Sequence, residues 1–177
     1  MAAAARQEIA LGPIDPLDCG RYAAHIGVAM LNFDELTELS RESKRQLLQT
    51  DSDSWSGMTI KEGSFTAVLL NPTHALERQR NTLMHEVSHI LLKHVPTRVD
   101  FGPGGILLVS EYAEEDEDEA DWLAGALLLP RTALASCRAQ GMTNAQIAQR
   151  YGASTQLSDW RIRMTGIDVQ RRRAAGN

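Results

Sequence analysis

The sequence predicts an α+β fold, mostly helical with a few short strands, and three observations carry that reading. Phe65–Leu70 is apolar or β-branched almost throughout and stops at Asn71-Pro72, as a buried strand does. Two long stretches, 77–94 and 114–128, place apolar residues at helical spacing and are closed by Pro96 and Pro130. Everything after Pro130 then divides into short helical patterns.

Taken in order, Pro13, Pro16 and Gly20 make a loop-rich entry, and residues 1–13 read as a flexible segment. A helix over about 17–26 is ended by Gly27, and a short strand, 28–31, follows. Residues 34–51 read as one helix whose apolar side is Leu36, Leu39, Leu47 and Leu48. Turn formers surround Trp55 and Gly57; 58–60 is a strand candidate, and 61–64 is a turn carrying Gly63. Thr73 is the expected cap of the helix 77–94, whose apolar positions are Leu83, Met84, Val87, Ile90 and Leu91. A turn at 101–105 precedes a second strand candidate, 106–109. Short helices over 131–140, 143–151 and 154–165 and a basic tail complete the chain. Residues 14–130 are thus expected to form the core domain and 131–177 a C-terminal helical subdomain.

The 177 residues suffice for one compact core, and no apolar run approaches the roughly 20 residues of a membrane helix. The start, MAAAARQEIALG, lacks the basic front end and apolar centre of a signal peptide, so a cytoplasmic location is expected. Cys19 and Cys137 stand far apart in no metal-like spacing and are expected to be reduced, small buried hydrophobes. The net charge of −5 is uneven: 111–121 reads EYAEEDEDEAD, while Arg161, Arg163 and Arg171 to Arg173 crowd the end. Such an acidic run is usually a solvated face, but this one leads directly into an apolar helix.

His85-Glu86-Val87-Ser88-His89 is an HExxH motif on a predicted helix. Four residues advance a helix by about 400°, so both imidazoles lie on one face where a single cation can take both. Glu86 can reach a water on that cation without binding the metal itself, and the metal lowers that water's pKa from about 15.7 to about 7. A third ligand must come from elsewhere. The extension HExxHxxGxxH would need Gly at 92 and His at 95, where the chain has Leu92 and Val95. His94 is one place off and reads as an exposed cation at the helix end. The alternative is a carboxylate on the second long helix. Glu117 is favoured, with Asp121 one turn on to orient a histidine, and Glu114, Glu115, Asp116 and Glu119 compete.

These residues resemble the ImmA/IrrE-type metallopeptidases. The resemblance rests on RQRNTLMHEVSHILLKH (78–94) and EDEADWLAGALLLP (117–130), against a family pattern of RQRFTLAHELGHxLLH and ExxAN-x-FAxxLLMP. It implies a zincin-like fold, with a small antiparallel sheet packed on the motif helix and the Glu helix. It implies His85, His89 and Glu117 as ligands of zinc (or Mn2+ or another divalent ion), Glu86 as the catalytic base and Asp121 as a supporting residue. It makes 65–71 the strand lining the cleft, to which an extended substrate would add. It also implies a protein substrate: a helix-turn-helix repressor, encoded nearby, cut to derepress mobile-element or stress-response genes. Ser88 replaces the family's usual Gly, Asn81 an aromatic, Asp121 the common Asn and Leu123 the common Phe.

Two other classes compete with that reading. Residues 147–160, with Gly152 at the turn, resemble a helix-turn-helix, and nearby arginines could meet phosphates; the acidic net charge leads us not to expect direct nucleic-acid binding. A non-proteolytic antirepressor that sequesters its partner is the other, against which the intact Glu86 weighs. Another hydrolase using the same metal completes the field. Trp55, Trp122 and Trp160 read as packing residues, His25 and His74 as ordinary ones, and Tyr112, Arg78, Arg80 or His74 as equal candidates to steady an oxyanion.

Overall fold

The computed structural model describes residues 1–36, 40–101 and 107–175. Helices α1 (Ala2–Glu8) and α2 (Cys19–His25) lead into strand β1 (Val28–Leu31). Helix α3 (Arg41–Arg45) comes next, then the hairpin of β2 (Gly57–Glu62) and β3 (Phe65–Leu70). The long helix α4 (Leu76–Leu92) precedes β4 (Arg98–Phe101) and β5 (Leu107–Glu111). Five helices close the chain: α5 (Glu114–Leu128), α6 (Arg131–Ala139), α7 (Asn144–Tyr151), α8 (Thr155–Thr165) and α9 (Ile167–Ala175).

The fold is α+β, as expected, but the sheet is mixed rather than antiparallel. Its order is β1-β3-β2-β5-β4, and β1 runs parallel to β3. This corrects the expectation for 65–70. That segment is a strand, but an interior one with both edges paired, so no substrate strand can add to it. Its continuous apolar pattern has the same cause, since Ala67, Val68 and Leu69 are buried in the centre of the sheet.

Residues 1–13 are not a flexible segment. Ala5 joins the core, and buried Arg6 donates from Nη1 to the Leu127 carbonyl (2.9 Å) and from Nη2 to that of Gly12 (2.9 Å). The guanidinium thereby takes up a carbonyl that the end of α5 leaves without a helical partner. Nor do the helices after Pro130 have a core of their own. Leu134, Ile147, Tyr151 and Ile162 share one apolar cluster with Met84, Val87 and Leu127. Tyr151 also donates to the Ile14 carbonyl (2.6 Å), tying α7 to the entry segment.

The expected helix 34–51 is broken. The backbone N–H of Asn32 donates to Glu35, closing a short 3-10 turn, and Ser40 caps a new helix. Gln46–Thr50 then widens into a π turn, where Trp55 Nε1 donates to the Leu47 carbonyl (2.9 Å). Leu39, the turn residues 102–105 and Ile106 lie outside the described residues. Thr73 does not cap α4. It folds onto Asn71 Oδ1 instead, and the helix starts from Ala75. The basic tail is helix α9, anchored by buried Ile167 and by the Arg138–Asp168 ion pair (2.9 Å).

Helices α7 and α8 meet at left-handed Gly152, with Thr143 and Ser154 as caps, so the helix-turn-helix outline is present. One face of its second helix packs on the core, while Thr155, Gln156, Asp159 and Arg163 remain exposed. Ser158, Arg161 and Ile162 are buried, and Arg161 lies over the rings of both Trp122 and Trp160. Gly125 on α5 permits this approach, because a Cβ there would stand 2.7 Å from Trp160 and Arg161.

Both cysteines are free and buried, and burial raises the Cys19 thiol to about 11. At pH 8 about one Cys19 in a thousand is then a thiolate. Titration with an aromatic disulfide reagent at pH 8 should find no fast-reacting thiol in the folded protein and both thiols after denaturation.

Candidate metal centre

The centre is assembled by α4 and α5. Glu77 in the first turn of α4 and Glu114 to Glu117 in that of α5 oppose the helix dipoles. Leu83, Met84 and Val87 on α4 and Leu123, Ala124 and Leu127 on α5 are buried in the same cluster. This packing turns His85 and His89 toward Glu117. His85 Nε2 is 3.0 Å from His89 Nε2 and 3.0 Å from Glu117 Oε2, and His89 Nε2 is 3.6 Å from the same oxygen.

These spacings test the fit to an ion. Tetrahedral bonds of about 2.0–2.1 Å separate ligand atoms by about 3.3 Å, which the three distances bracket. Two imidazoles and a carboxylate suit zinc and admit other divalent ions. His85, His89 and Glu117 could therefore hold a metal ion, and they form such a group among the described residues. Glu114, Glu115, Asp116 and Glu119, which the sequence left as rivals, are not in it.

Each histidine is oriented through its other nitrogen. His85 Nδ1 is 2.8 Å from Asp121 Oδ1, the pairing expected of Asp121. Burial lowers the His85 pKa, but the Asp121 hydrogen bond and the charges of Glu86, Asp121 and Glu117 outweigh it, and the net shift is upward. His89 is almost fully enclosed, and its Nδ1 lies 2.9 Å from His94 Nδ1. Burial first, then the neighbouring His85 and His94, take His89 down to about 3, so it is neutral near pH 7.

His94 is a correction to the sequence reading. It is not an exposed helix-end cation, since only 7% of its side chain is exposed. Lys93 adopts a left-handed conformation (φ 60°), and the chain doubles back so that His94 reaches His89. His94 Nε2 in turn faces Glu119 (3.5 Å) and Asp116 (3.6 Å). Neutral His89 donating to His94 would leave Nε2 as the free donor atom.

Glu86 points the other way, toward the sheet. Thr59 Oγ1, fully buried on β2, donates to Glu86 Oε2 (2.5 Å), and Oε1 has no hydrogen-bond partner among the described residues. Burial raises the Glu86 pKa; the Thr59 bond and His85 work against that rise. Sequence reasoning missed Thr59, because only the pairing of β2 between β3 and β5 brings it under α4. Ser88, at the family's glycine position, is buried and donates to the Met84 carbonyl (2.7 Å).

Of the oxyanion candidates, Tyr112 is at the centre, with its ring stacked on His89 (centroids 3.7 Å, 10° between planes). Burial and the charges of Glu86, Glu117 and Asp116 raise its hydroxyl to about 12. Arg80 donates to the Gly152 carbonyl and Arg78 to Ser56 Oγ, while His74 sits buried beside Asn71.

A family profile, Peptidase_M78, the IrrE N-terminal-like domain, matches residues 45–163. The chain belongs to this family. No curated protein and no solved structure matches the chain significantly. Membership gives it a metallopeptidase-type function and a protein as the substrate class. The match takes in α4, α5 and all the residues of the centre, and runs on into α8. Among the described residues no helix is long and apolar enough to cross a membrane.

Replacing His94 by Ala removes the partner of His89 Nδ1. By the usual effect of such supporting residues, zinc affinity measured by chelator competition should fall about 10–100-fold. The far-ultraviolet spectrum of the metal-free protein should be unchanged.

Proposed function

We propose that this protein is a zinc-dependent endopeptidase that cuts one specific protein. The observation that supports this most is the pairing of a three-donor cluster with a half-buried carboxylate beside it, held by a single hydrogen bond. A divalent ion bound by His85, His89 and Glu117 supplies Lewis acidity and makes water a stronger acid. Glu86 is the general base. Thr59 fixes one of its oxygens and leaves the other free to take a proton from water. Its burial raises its proton affinity, which suits a base that must hold the proton and then pass it to the departing amine. Asp121 and His94 hold the two imidazoles in place. Tyr112, protonated at neutral pH, is suited to donate to the negative charge that develops on the carbonyl oxygen.

The resemblance of 78–94 and 117–130 to ImmA/IrrE-type enzymes supports a narrower reading: the substrate is a helix-turn-helix repressor, and its cleavage switches on the genes it holds silent. A cytoplasmic site of action follows from that substrate. The net charge of −5 gives less support to a DNA-binding role.

Incubation of the zinc-loaded protein with a repressor encoded beside it, followed by intact mass, tests this. A discrete cut is expected. Glu86→Gln should retain zinc and cut about a hundredfold to ten-thousandfold more slowly. A stable complex that is never cut would replace the endopeptidase with a sequestering antirepressor.

A further inference from the structure

The net charge of −5, which weighs against a DNA-binding regulator, is an average over two unlike parts. After Pro130 the chain carries eight arginines, no lysine and no glutamate, and only two aspartates, Asp159 and Asp168. The negative surplus lies wholly before that proline, with eight carboxylates in 111–121 alone. A sum over the whole chain therefore says little about the surface of α6 and α9.

That surface is basic in its own right. Arg171, Arg172 and Arg173 are exposed on α9, and Arg171 and Arg172 line one open hollow with Asp168 and Ala174. Arg131, exposed in the first turn of α6, donates to Gln170 and so stands beside them. The nearby carboxylates are accounted for. Arg138 takes both oxygens of Asp168, from Nε to Oδ1 (2.9 Å) and from Nη2 to Oδ2 (3.2 Å), so that pair is neutral. Asp159 lies one turn from Arg163 and counts against it. Asp15 belongs to the entry segment that Thr132 holds at the Pro13 carbonyl, and no ion pair joins it to Arg131. Even with Asp15 counted against Arg131, the three arginines of α9 remain, and none forms an ion pair among the described residues. Arg172 Nε donates only to the Asp168 carbonyl (3.3 Å).

We propose that this face of α6 and α9 is a contact for the sugar–phosphate backbone of duplex DNA, with Arg171, Arg172 and Arg173 displacing its counterions. Contacts to phosphate hold a protein on a duplex without reading its sequence. An anionic membrane is the other polyanion such a helix could meet. A helix lying in a membrane carries Trp, Phe or Leu on its apolar side, whereas α9 exposes Val169 and Ala174. The choice of a duplex rests on the reading that the substrate is a repressor, since a repressor is itself held on DNA. The contact then concentrates the peptidase where its substrate is bound.

The test is a titration of a short labelled duplex of arbitrary sequence with the zinc-loaded, full-length protein, followed by fluorescence anisotropy. Each phosphate neutralised contributes about −0.9 to the slope of log K against log salt, so three arginines give about −2.7. Affinity should fall about fortyfold between about 50 and about 200 mM salt. The triple variant Arg171→Gln, Arg172→Gln, Arg173→Gln should bind at least about tenfold more weakly at about 50 mM salt and lose most of the slope, with zinc content and melting temperature unchanged. No binding at the lower salt, or a slope that survives the triple substitution, would overturn the contact. So would retention on phosphatidylserine vesicles without binding to the duplex, which would make the face a membrane contact. No repressor is present in the titration, so its failure leaves the endopeptidase reading standing, and failure of the digestion leaves the titration unchanged.

Discussion

The packing of α4 against α5 is the constraint on which the site depends. Two histidines on one helix can share an ion, but the third donor must be delivered from another element to within about 3–4 Å of both. The apolar faces of the two helices make that delivery. Met84, Val87 and Leu127 are fully buried, and each such side chain contributes about 1.5–3 kcal/mol. Against this stands the enclosure of His89 and Glu86, polar groups that cost several kcal/mol apiece unless they are partnered. Both are partnered: His89 by His94, and Glu86 by Thr59. The site is thus supported from two sides, by the post-helical turn above and by the sheet below.

The same packing explains the acidic run. A string of eight carboxylates reads as a solvated face, and part of it is one, with Glu114, Glu115, Asp118 and Glu119 exposed. But the run begins a helix, where its first turn opposes the helix dipole, and then sends members inward at one-turn spacing. Glu117 meets the two imidazoles and Asp121 the far side of His85. Asp116 and Glu119 approach His94. One stretch of sequence thereby serves both the stability of α5 and the charge balance of the centre.

What was legible in the sequence was what local periodicity fixes. The side-by-side placement of His85 and His89 and the one-turn relation of Glu117 and Asp121 follow from the 3.6-residue repeat, and the span of 65–70 from an unbroken apolar run stopped at Asn71-Pro72. Strand order is a different kind of quantity. Nothing within 65–70 says that β1 will lie parallel on one side and β2 antiparallel on the other, so its interior position was invisible. Thr59 was missed for a related reason, since its partner lies 27 residues away on α4, which packs on the sheet. His94 was misread because its role depends on one backbone angle, the positive φ of Lys93, at a residue type that gives no sign of it. Arg6 was lost in an alanine-rich start whose composition suggested a loose tail, although its guanidinium closes the end of α5.

His85 and His89 show how far environment can separate two chemically identical side chains on one helix face. Asp121 and two further carboxylates favour a charged imidazole at His85, while enclosure and neighbouring imidazoles disfavour one at His89. A ligand must offer an unprotonated nitrogen, and the two positions differ in how their surroundings bear on that. At His85 the carboxylate takes the Nδ1 proton in a hydrogen bond and makes Nε2 a stronger donor to a cation, at the cost of greater affinity for a competing proton. At His89 burial removes the competing proton and His94 fixes the tautomer. Tyr112 lies flat on the ring, so the imidazole is held from its face as well as from its edge. A site built in this way gains basicity from one histidine and fixed geometry from the other, and both properties trace back to which side of α4 faces α5.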